Sequence, residues 1–475
     1  MVVLTVSLLV LVELVFVMQW QDGRFSGEPV LRVAAPENEW LDSELTPYGI
    51  GFEKELLDRF CAKNKMSWTW IKTRNWAEAW EEVRKGRADM VIGLGSEPPN
   101  TLEIKMTVGP VYAHTRPVLI YNNKRFGVGK DCDIFERPVL LTASNVMADS
   151  LRQKALELDC SPRSVVSADL SMTPLLDTLD RNQARFALVD QRRFALWQPF
   201  YHKIKTAKTL DRELEYRWYW SERSPALNES LHRFWTDIQA NGRLASLYDK
   251  YFGFLPEKTD HFEIYHLLKT LDEKLPAYRK AIIKAAKRTG IDPLLLVAVI
   301  YQESHFDAEA RSSTGVRGLM QITTATAEHL GVDRKDPFES IEGGSRYLRN
   351  LYRELGDLGL DTETRWLFTL ASYNRGPGHL RDAVALAKRL GGTGRAWLEM
   401  KTVFPKLNYE RYYKDAKYGY TNGLEVVDYV ERIRYYRYIL HGLVILARPE
   451  AQELTSLVAA SGPSLLVAAS SQSIF

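Results

Sequence analysis

Several features that would assign a function at once are scarce or absent in this sequence. The 475 residues carry 63 Lys and Arg against 60 Asp and Glu, so the formal net charge is only +3. No Arg/Lys-rich stripe is present, and this charge balance argues against a nucleic-acid partner. Internal repeats and low-complexity segments are also lacking. The composition, 45% hydrophobic and 26% charged, is that of an ordinary globular protein.

Cysteine is rare, with only Cys61, Cys132 and Cys160 in the chain. An odd number leaves at least one thiol unpaired within the chain. Cys132 and Cys160 either form a bridge in an oxidising compartment or remain two buried thiols, and the sequence leaves both open. No His and Cys residues cluster at metal-ligand spacing, and His305 follows Glu303 by only two positions. We therefore expect no metal and no cofactor.

One long apolar run is present, at residues 2–18, with Glu13 as its single charge. The run is long for the core of a signal peptide and short for a membrane span. No Lys or Arg precedes it, and no Cys follows it, which argues against a lipid anchor at that junction. We expect residues 1–29 to be the signal or anchor segment of an exported protein. A buried core helix is the alternative, and cleavage of residues 1–19 stays open.

A chain of this length is too long for one hydrophobic core. From about residue 30, strand-like runs such as VLRVAA (30–35) alternate with helix-like runs such as GFEKELLDRFCAK (51–63), which favours a parallel sheet with crossover helices. Beyond about residue 258 the strand patterns end, and helical patterns continue to about 447. The predicted fold is multidomain, with a bilobal α/β module followed by an all-α domain.

The all-α half contains a candidate catalytic carboxylate. Asp292 is a good helix N-cap and Pro293 suits the first helical position, and the run PLLLVAVIYQESHF that follows is nearly all apolar. Glu303 lies one turn after Val299 and Ile300, so it should project from a buried face. Burial raises a carboxyl pKa, as a general acid at neutral pH requires. A glutamate that turns to water at a helix end is the alternative.

Four motifs follow in order: ES (303–304), SSTGVRGLMQ (312–321), YNRG (373–376) and EVVDYV (425–430). Their order and spacing resemble the soluble-lytic-transglycosylase-type lysozyme-like domain over roughly 270–445. The resemblance implies that Glu303 is a single acid/base. It would protonate the glycosidic oxygen between N-acetylmuramic acid and N-acetylglucosamine, and then accept the proton of the muramic 6-hydroxyl as a 1,6-anhydro ring closes. The implied substrate contacts are Ser312, Met320, Gln321, Tyr373, Asn374 and Tyr429.

Two points in this assignment stay open at the level of sequence. Most glycosidases use two carboxylates, but Asp307 and Glu309 follow the helix end and belong to no motif, so substrate-assisted chemistry fits a lone Glu303 better. Core packing explains Tyr373 and Tyr429 about equally well. The alternatives to a lytic transglycosylase are a lysozyme-type hydrolase and an inactive, glycan-binding sensor.

The first half resembles the family 3 bacterial solute-binding domain. The resemblance is carried by YGIGFEKELLDRF (48–60), NWAEAWEEVRKGRADMVIG (75–93), ARFALVD (184–190) and the run from 227 to 253. It implies one lobe of residues 30–115 and 216–254, and a second of residues 116–215. Asp190 matches the amine-binding aspartate of the family, whereas the turn at 95–105 lacks the arginine that clamps a carboxylate. A muropeptide or amino-acid-like ligand is implied, with a non-binding scaffold as the alternative.

The predicted domain limits are 30–256 for the solute-binding-like module, 268–447 for the helical domain and 448–475 for a tail. This order of domains is similar to that of the membrane-bound lytic murein transglycosylase F family. The similarity implies a periplasmic enzyme that is attached peripherally to the outer membrane and acts on peptidoglycan glycan strands. The sequence leaves endo and exo cleavage undecided.

Overall fold

The computed structural model describes residues 29–93, 98, 104–123, 131–141, 145–161, 163–166, 172–312 and 315–461. The predicted signal segment, the end of the predicted tail and most of the turn at 95–105 lie outside the described residues. The chain divides into two compact units. The first comprises the residues up to Ser43 together with Gly51–Asn241, and the second comprises Glu44–Ile50 and the residues from Gly242 onward.

The first unit is an α/β structure with eleven strands among the described residues. The strands are β1 (Val30–Pro36), β2 (Ser67–Thr73), β3 (Met90–Gly93), β4 (Met106–Val108), β5 (Ala113–Thr115), β6 (Pro117–Asn122), β7 (Pro138–Leu141), β8 (Arg163–Val166), β9 (Phe186–Asp190), β10 (Ile204–Thr209) and β11 (Leu214–Ser221). The helices are α1 (Phe52–Asn64), α2 (Trp76–Arg84), α3 (Asp131–Phe135), α4 (Asn145–Glu157), α5 (Met172–Asp180), α6 (Gln191–Trp197) and α7 (Pro225–Ala240).

These strands form two sheets, one in each lobe. The first has the order β2-β1-β3-β11-β4, with β5 also paired to β11, and the second has the order β10-β6-β9-β7-β8. The pairs β1–β2 and β1–β3 are parallel, as are β7–β8 and β7–β9, because helices connect them. The predicted bilobal α/β module is therefore confirmed.

Local sequence accounts for the way these elements pack. The apolar residues that recur at helical spacing along α1, Phe52, Leu56, Leu57 and Phe60, are all fully buried. At the core of the second lobe, Cys132 and Cys160 form a disulfide with an S–S distance of 2.07 Å. This decides between the two alternatives that the sequence left open, and it leaves Cys61 as a buried free thiol.

The second unit is helical. Its helices are α8 (Arg243–Phe252), α9 (His261–Glu273), α10 (Leu275–Thr289), α11 (Pro293–Ser304), α12 (Thr324–Leu330), α13 (Pro337–Glu354), α14 (Thr362–Arg375), α15 (Pro377–Arg389), α16 (Trp397–Val403), α17 (Glu410–Tyr413), α18 (Gly423–Ile445) and α19 (Gln452–Ser461). Short 3-10 turns lie at Gln198–Phe200 in the first unit, and at Gly356–Leu358, Phe404–Asn408 and Pro449–Ala451 in the second. The predicted all-α second domain is confirmed.

The boundary between the units differs from the domain limit drawn on the sequence. Helix α8 continues the solute-binding-like sequence, yet it belongs to the helical unit. The reason is a buried set of charges, in which Asp249 of α8 pairs with Lys401 at 2.8 Å and with Arg434 at 3.2 Å. Without Asp249, both cations would have only Glu431 as an acidic partner, which is costly for charges this deeply buried.

Helix α19 also differs from the sequence expectation, which placed these residues in a tail. Leu454, Leu457 and Val458 are buried at the spacing of one helical face. They pack α19 against α10 and α11. Part of the predicted tail is therefore a component of the core around α11.

Candidate active site

Helix α11, which carries the candidate catalytic residue, is buried along most of its length in the helical unit. Asp292 caps its start as predicted, since its Oδ1 accepts a hydrogen bond from the Leu294 amide at 2.9 Å. Every residue from Pro293 to Tyr301 is buried. The helix ends at Ser304 because His305 and Phe306 take positive φ values of 49° and 57°. This abrupt end brings Glu303 into the last turn, where the helix emerges from the core.

The Glu303 carboxyl is partly buried and has one tyrosine partner. The Tyr429 hydroxyl of α18 donates a hydrogen bond to Glu303 Oε1 at 2.5 Å. Burial raises the Glu303 pKa to about 7, and the bond from Tyr429 partly offsets that rise because it favours the ionised form. At neutral pH the carboxyl is thus divided between its acid and base forms, which suits a group that must serve as both.

Two tyrosines border this carboxyl. Tyr373 of α14 donates its hydroxyl hydrogen bond to the Met320 carbonyl at 2.7 Å, while Tyr429 bonds Glu303 itself. Burial and the nearby negative charge of Glu303 raise the pKa values of both phenols well above their ordinary range. Both hydroxyls therefore remain protonated donors at neutral pH.

The turn before Gln321 is held by that residue's own side chain. Gln321 adopts a left-handed φ of 46°, and its Nε2 donates to the carbonyls of Ala310 at 3.0 Å and Gly318 at 2.8 Å. Gly318 is required here, because its φ is 80° and a Cβ would overlap the carbonyl oxygen of Arg334. The amide nitrogen of this predicted sugar contact is thus used within the turn, whereas its amide oxygen accepts no hydrogen bond from the described residues.

Met320 packs beneath the turn as part of the core. Its side chain is fully buried, and a Cβ at Gly344 of α13 would lie 2.5 Å from its sulfur. The Met320 amide donates to Ser340 Oγ at 3.2 Å. Sequence reasoning missed Ser340 and Gly344, although the glycine pair at 343–344 inside an amphipathic helix is a signal of close packing.

The other two predicted contacts have different surroundings. The Ser312 hydroxyl accepts a hydrogen bond from the Val316 amide at 3.3 Å. The Asn374 Oδ1 atom is buried and accepts no hydrogen bond from the described residues. Asn374 does not cap its helix, since α14 runs to Arg375 and is capped by Gly376. Arg375 forms an ion pair with Glu425 at the start of α18.

The acidic residues considered as a second catalytic carboxylate, Asp307 and Glu309, are both exposed. They form a local turn in which the Glu309 amide donates to Asp307 Oδ1 at 3.0 Å. Neither influences the Glu303 pKa, which is governed by burial and by Tyr429. Of the three carboxyls considered for this site, Glu303 is therefore the one whose burial and raised pKa suit a general acid.

In the first unit, Asp190 lies at the N-terminus of α6 and is only 3% exposed. Its Oδ1 accepts hydrogen bonds from the Arg193 amide at 2.8 Å and from Thr115 Oγ1 at 3.1 Å, and its Oδ2 accepts one from the Tyr216 hydroxyl at 3.0 Å. Burial raises the Asp190 pKa, and these bonds oppose the rise. The predicted amine contact thus has three partners from its own domain.

An ion pair joins the two lobes beside Asp190. Glu39, which follows β1, accepts hydrogen bonds from Arg193 Nε at 2.5 Å and from Trp197 Nε1 at 2.9 Å. Burial would raise the Glu39 pKa, but the charge and hydrogen bonds of Arg193 outweigh it and hold the pKa below its usual value. Each lobe therefore contributes one charge to this ion pair.

In the part of the chain that the structure describes, no group of three or more His, Cys, Asp or Glu could hold a metal ion. The same part contains no helix of the length and apolarity that a membrane crossing needs.

Two protein families match separate parts of the chain. The family model "Transglycosylase SLT domain" matches residues 280–393, and "Bacterial extracellular solute-binding proteins, family 3" matches residues 36–254. The GluR0 ligand-binding core in complex with L-glutamate aligns with a TM-score of 0.40 and 12% identity, covering 48% of this chain and 99% of that one.

Curated relatives extend over most of the chain. A membrane-bound lytic murein transglycosylase F of Desulfosudis oleivorans is 31% identical over 88% of this chain and 90% of its own length. Proteins of the same name from Shewanella sediminis and Pseudomonas putida are each 31% identical, and the alignments cover 81% and 82% of this chain. The corresponding shares of those relatives are 79% and 80%.

Proposed function

The chain belongs to the membrane-bound lytic murein transglycosylase F family, and on this premise we propose that Glu303 acts as the lone acid and base of a peptidoglycan lyase. The observation that carries the proposal is the Glu303 carboxyl itself, with a pKa raised to about 7 and one hydrogen bond from Tyr429. A single group that exchanges protons near neutral pH can serve both halves of a lytic reaction.

The proposed reaction needs no second carboxylate and no water. Protonated Glu303 donates its proton to the oxygen that links C1 of N-acetylmuramic acid to C4 of N-acetylglucosamine, and the C1–O bond breaks. The resulting carboxylate accepts the proton of the muramic 6-hydroxyl, whose oxygen then bonds to C1. The products are a 1,6-anhydromuramoyl end and a free 4-hydroxyl, and Glu303 is protonated again.

The remaining predicted residues divide into acceptors and supports in this proposal. The buried Asn374 Oδ1 and the unused Gln321 amide oxygen suit the N–H or hydroxyl donors of an amino sugar. Tyr373 and Met320 hold the floor of the site through their mutual hydrogen bond. Ser312 belongs to the turn that precedes Gln321 and is assigned a contact near the carboxyl.

The test is the chemical nature of the product. Purified protein is incubated with murein sacculi, and the masses of the released muropeptides are measured by mass spectrometry. Anhydro ends are expected, whereas hydrated reducing ends would show the lysozyme-type alternative to be correct.

The Glu303→Gln variant tests the assigned residue directly. Glutamine keeps the shape and one acceptor oxygen but cannot donate an acid proton, so cleavage should be lost while pelleting with sacculi persists. Turnover retained in this variant would reject the role of Glu303. Wild-type protein that binds sacculi and releases nothing would favour a glycan-binding sensor.

For the solute-binding-like module we propose a small ligand with an amino group, such as a free amino acid or a stem-peptide fragment. Its support is the buried carboxylate of Asp190 beside the Glu39–Arg193 pair. A zwitterion could exchange with this pair, with its amine toward Asp190 and its carboxylate toward Arg193.

Isothermal titration with amino acids and wall peptides tests the module. Binding should be lost in Asp190→Asn and kept in Asp211→Asn, where Asp211 is exposed and pairs with Lys154. No heat with any of these compounds would favour the non-binding scaffold.

We also propose a periplasmic enzyme attached peripherally to the outer membrane. The support is the apolar run at residues 2–18, the name of the relatives and a disulfide that suits an oxidising compartment. Recovery of the full chain in outer-membrane fractions, with release by alkaline extraction, is the expected result. Recovery in the cytoplasmic fraction would reject it.

A further inference from the structure

Helix α9 lies between the residues matched by the two family models, and its Glu263 has an unusual pair of partners. The hydroxyls of Tyr301 and Tyr436 both donate hydrogen bonds to the same atom, Glu263 Oε1, each at 2.9 Å. Tyr301 belongs to α11, the helix of Glu303, and Tyr436 belongs to α18, the helix of Tyr429. One carboxylate oxygen therefore joins the two helices whose side chains form the Glu303–Tyr429 hydrogen bond.

The link to α11 is reinforced at the end of that helix. His266 Nδ1 lies 2.9 Å from the Tyr301 hydroxyl oxygen. Because the single hydroxyl proton goes to Glu263, the His266 nitrogen must be the donor in this contact. Lys274 Nζ donates to the His305 carbonyl at 3.0 Å, and the His305 ring packs on Tyr301 with centroids 4.7 Å apart. Helix α9 thus restrains the turn that follows Glu303.

On α18, the tyrosine that binds Glu263 and the tyrosine that binds Glu303 lie on the same face of the helix. Tyr436 follows Tyr429 by seven residues, about two turns, so both project from nearly the same face. The Tyr436 ring also meets the Tyr301 ring edge-on at 4.9 Å. On α11, in contrast, Tyr301 and Glu303 are two residues apart and point about 200° away from each other. Glu263 therefore acts on a face of α11 other than the one that presents the catalytic carboxyl.

We propose that Glu263 is a positioning residue, which sets the distance between Glu303 and Tyr429 by holding Tyr301 and Tyr436 on one oxygen atom. The inference rests on the proposed role of Glu303. Displacements of 1 Å in a catalytic group can reduce turnover by up to about a hundredfold, so a restraint of this kind affects the rate without any contact with substrate.

A matched pair of substitutions separates position from charge. Because both tyrosines use Oε1, Glu263→Gln keeps an acceptor for both hydroxyls, and it should retain kcat within about twofold. Glu263→Ala removes the acceptor, and it should lower kcat by about tenfold with KM nearly unchanged. Glu273→Ala, at the exposed end of the same helix, is the control and should match wild type.

The pH dependence of kcat/KM distinguishes a change of position from a loss of stability. A variant that is only less stable should lose activity without a shift of the alkaline limb. The titratable groups beside Glu303 are Tyr373 and Tyr429, and the bond from Tyr429 lowers the Glu303 pKa. When that bond loosens, the alkaline limb of kcat/KM should move to higher pH in Glu263→Ala. The Glu263→Ala/Tyr429→Phe double variant should have its alkaline limb at the same pH as Tyr429→Phe alone, because the hydrogen bond that Glu263 positions is already absent.

If Glu263→Ala does not fold, the Tyr301→Phe/Tyr436→Phe double variant keeps both rings and should show the same shift. An unmoved limb, or a glutamine variant as slow as the alanine variant, would overturn the proposal. A wrong assignment of Glu303 can be told apart from a wrong assignment of Glu263. The former would appear as turnover in Glu303→Gln, independently of the results for the Glu263 variants.

Discussion

At the scale of single residues, the acid strength of Glu303 is set by burial and by one neutral neighbour. Burial raises its pKa to about 7, and the Tyr429 hydroxyl, donating at 2.5 Å, lowers it again in part. No charged side chain among the described residues takes part in this balance. The acid therefore depends on its packing, and a change in one hydrogen bond should be visible in the pH dependence.

The first prediction concerns Tyr429→Phe. A hydrogen bond to a charged group contributes about 1.5–3 kcal/mol, so its loss should raise the Glu303 pKa by about one to two. Glu303 must be protonated to start the reaction, so activity falls as pH rises through its pKa. The alkaline limb of kcat/KM should thus move to higher pH than in wild type, measured by muropeptide release between pH 5 and 9.

Tyr373→Phe is the matched control, because its hydroxyl bonds the Met320 carbonyl and not Glu303. Its turnover should fall while the limb stays in place. Equal shifts in both variants would show that general loosening of the site, and not the Tyr429 bond, governs the Glu303 pKa.

At the scale of elements, the start of α11 follows from local sequence and its end does not. Asp292 and Pro293 have the side chains that a helix start requires. Phe306, in contrast, is not a residue that favours a positive φ. A histidine of α9 packs its ring against the His305 ring, so this turn is also held from outside the helix. The position of Glu303 in the last turn is therefore decided jointly by a local cap and a distant helix.

The disulfide in the second lobe is an element-scale restraint that can be tested. Cys132 and Cys160 are separated by 28 residues, and a bridge of that span stabilises a fold by about 3 kcal/mol. The Cys132→Ser/Cys160→Ser variant should lower the stability of the first unit by this amount in urea unfolding. Dithiothreitol should destabilise wild type similarly and leave the double variant unaffected; an effect on both would contradict the assignment.

At the scale of the whole molecule, the chain does not divide where its family-like sequences do. Helix α8 ends the solute-binding-like sequence, but its Asp249 is held in the helical unit by Arg434 and Lys401. Arg434 also pairs with Glu431 at 2.9 Å and is only 2% exposed. Charges this deeply buried must remain paired, so we expect α8 to unfold together with the helical unit.

Asp249→Ala should therefore destabilise the helical unit. The loss of one partner leaves Arg434 and Lys401 with Glu431 alone, at a cost of about 2 kcal/mol or more. In calorimetry of the full chain, the transition of the helical unit should move to lower temperature. Asp237→Ala, which removes the exposed pair with Lys63 in the first unit, should change little. A shift confined to the first unit's transition would contradict the assignment of α8.

The sequence by itself determined the two fold classes, the cap at Asp292, the buried face that carries Glu303 and the ordered motifs from Ser312 to Tyr429. These are recorded in local periodicity and residue chemistry, which do not depend on distant contacts. Only the tertiary structure decided the Glu303–Tyr429 bond, the use of the Gln321 amide within its own turn, the Cys132–Cys160 bridge and the linkage through Glu263. The Gln321 contacts are local but depend on a left-handed backbone at that residue. The other three join residues far apart in the chain, where distance and burial are set by packing.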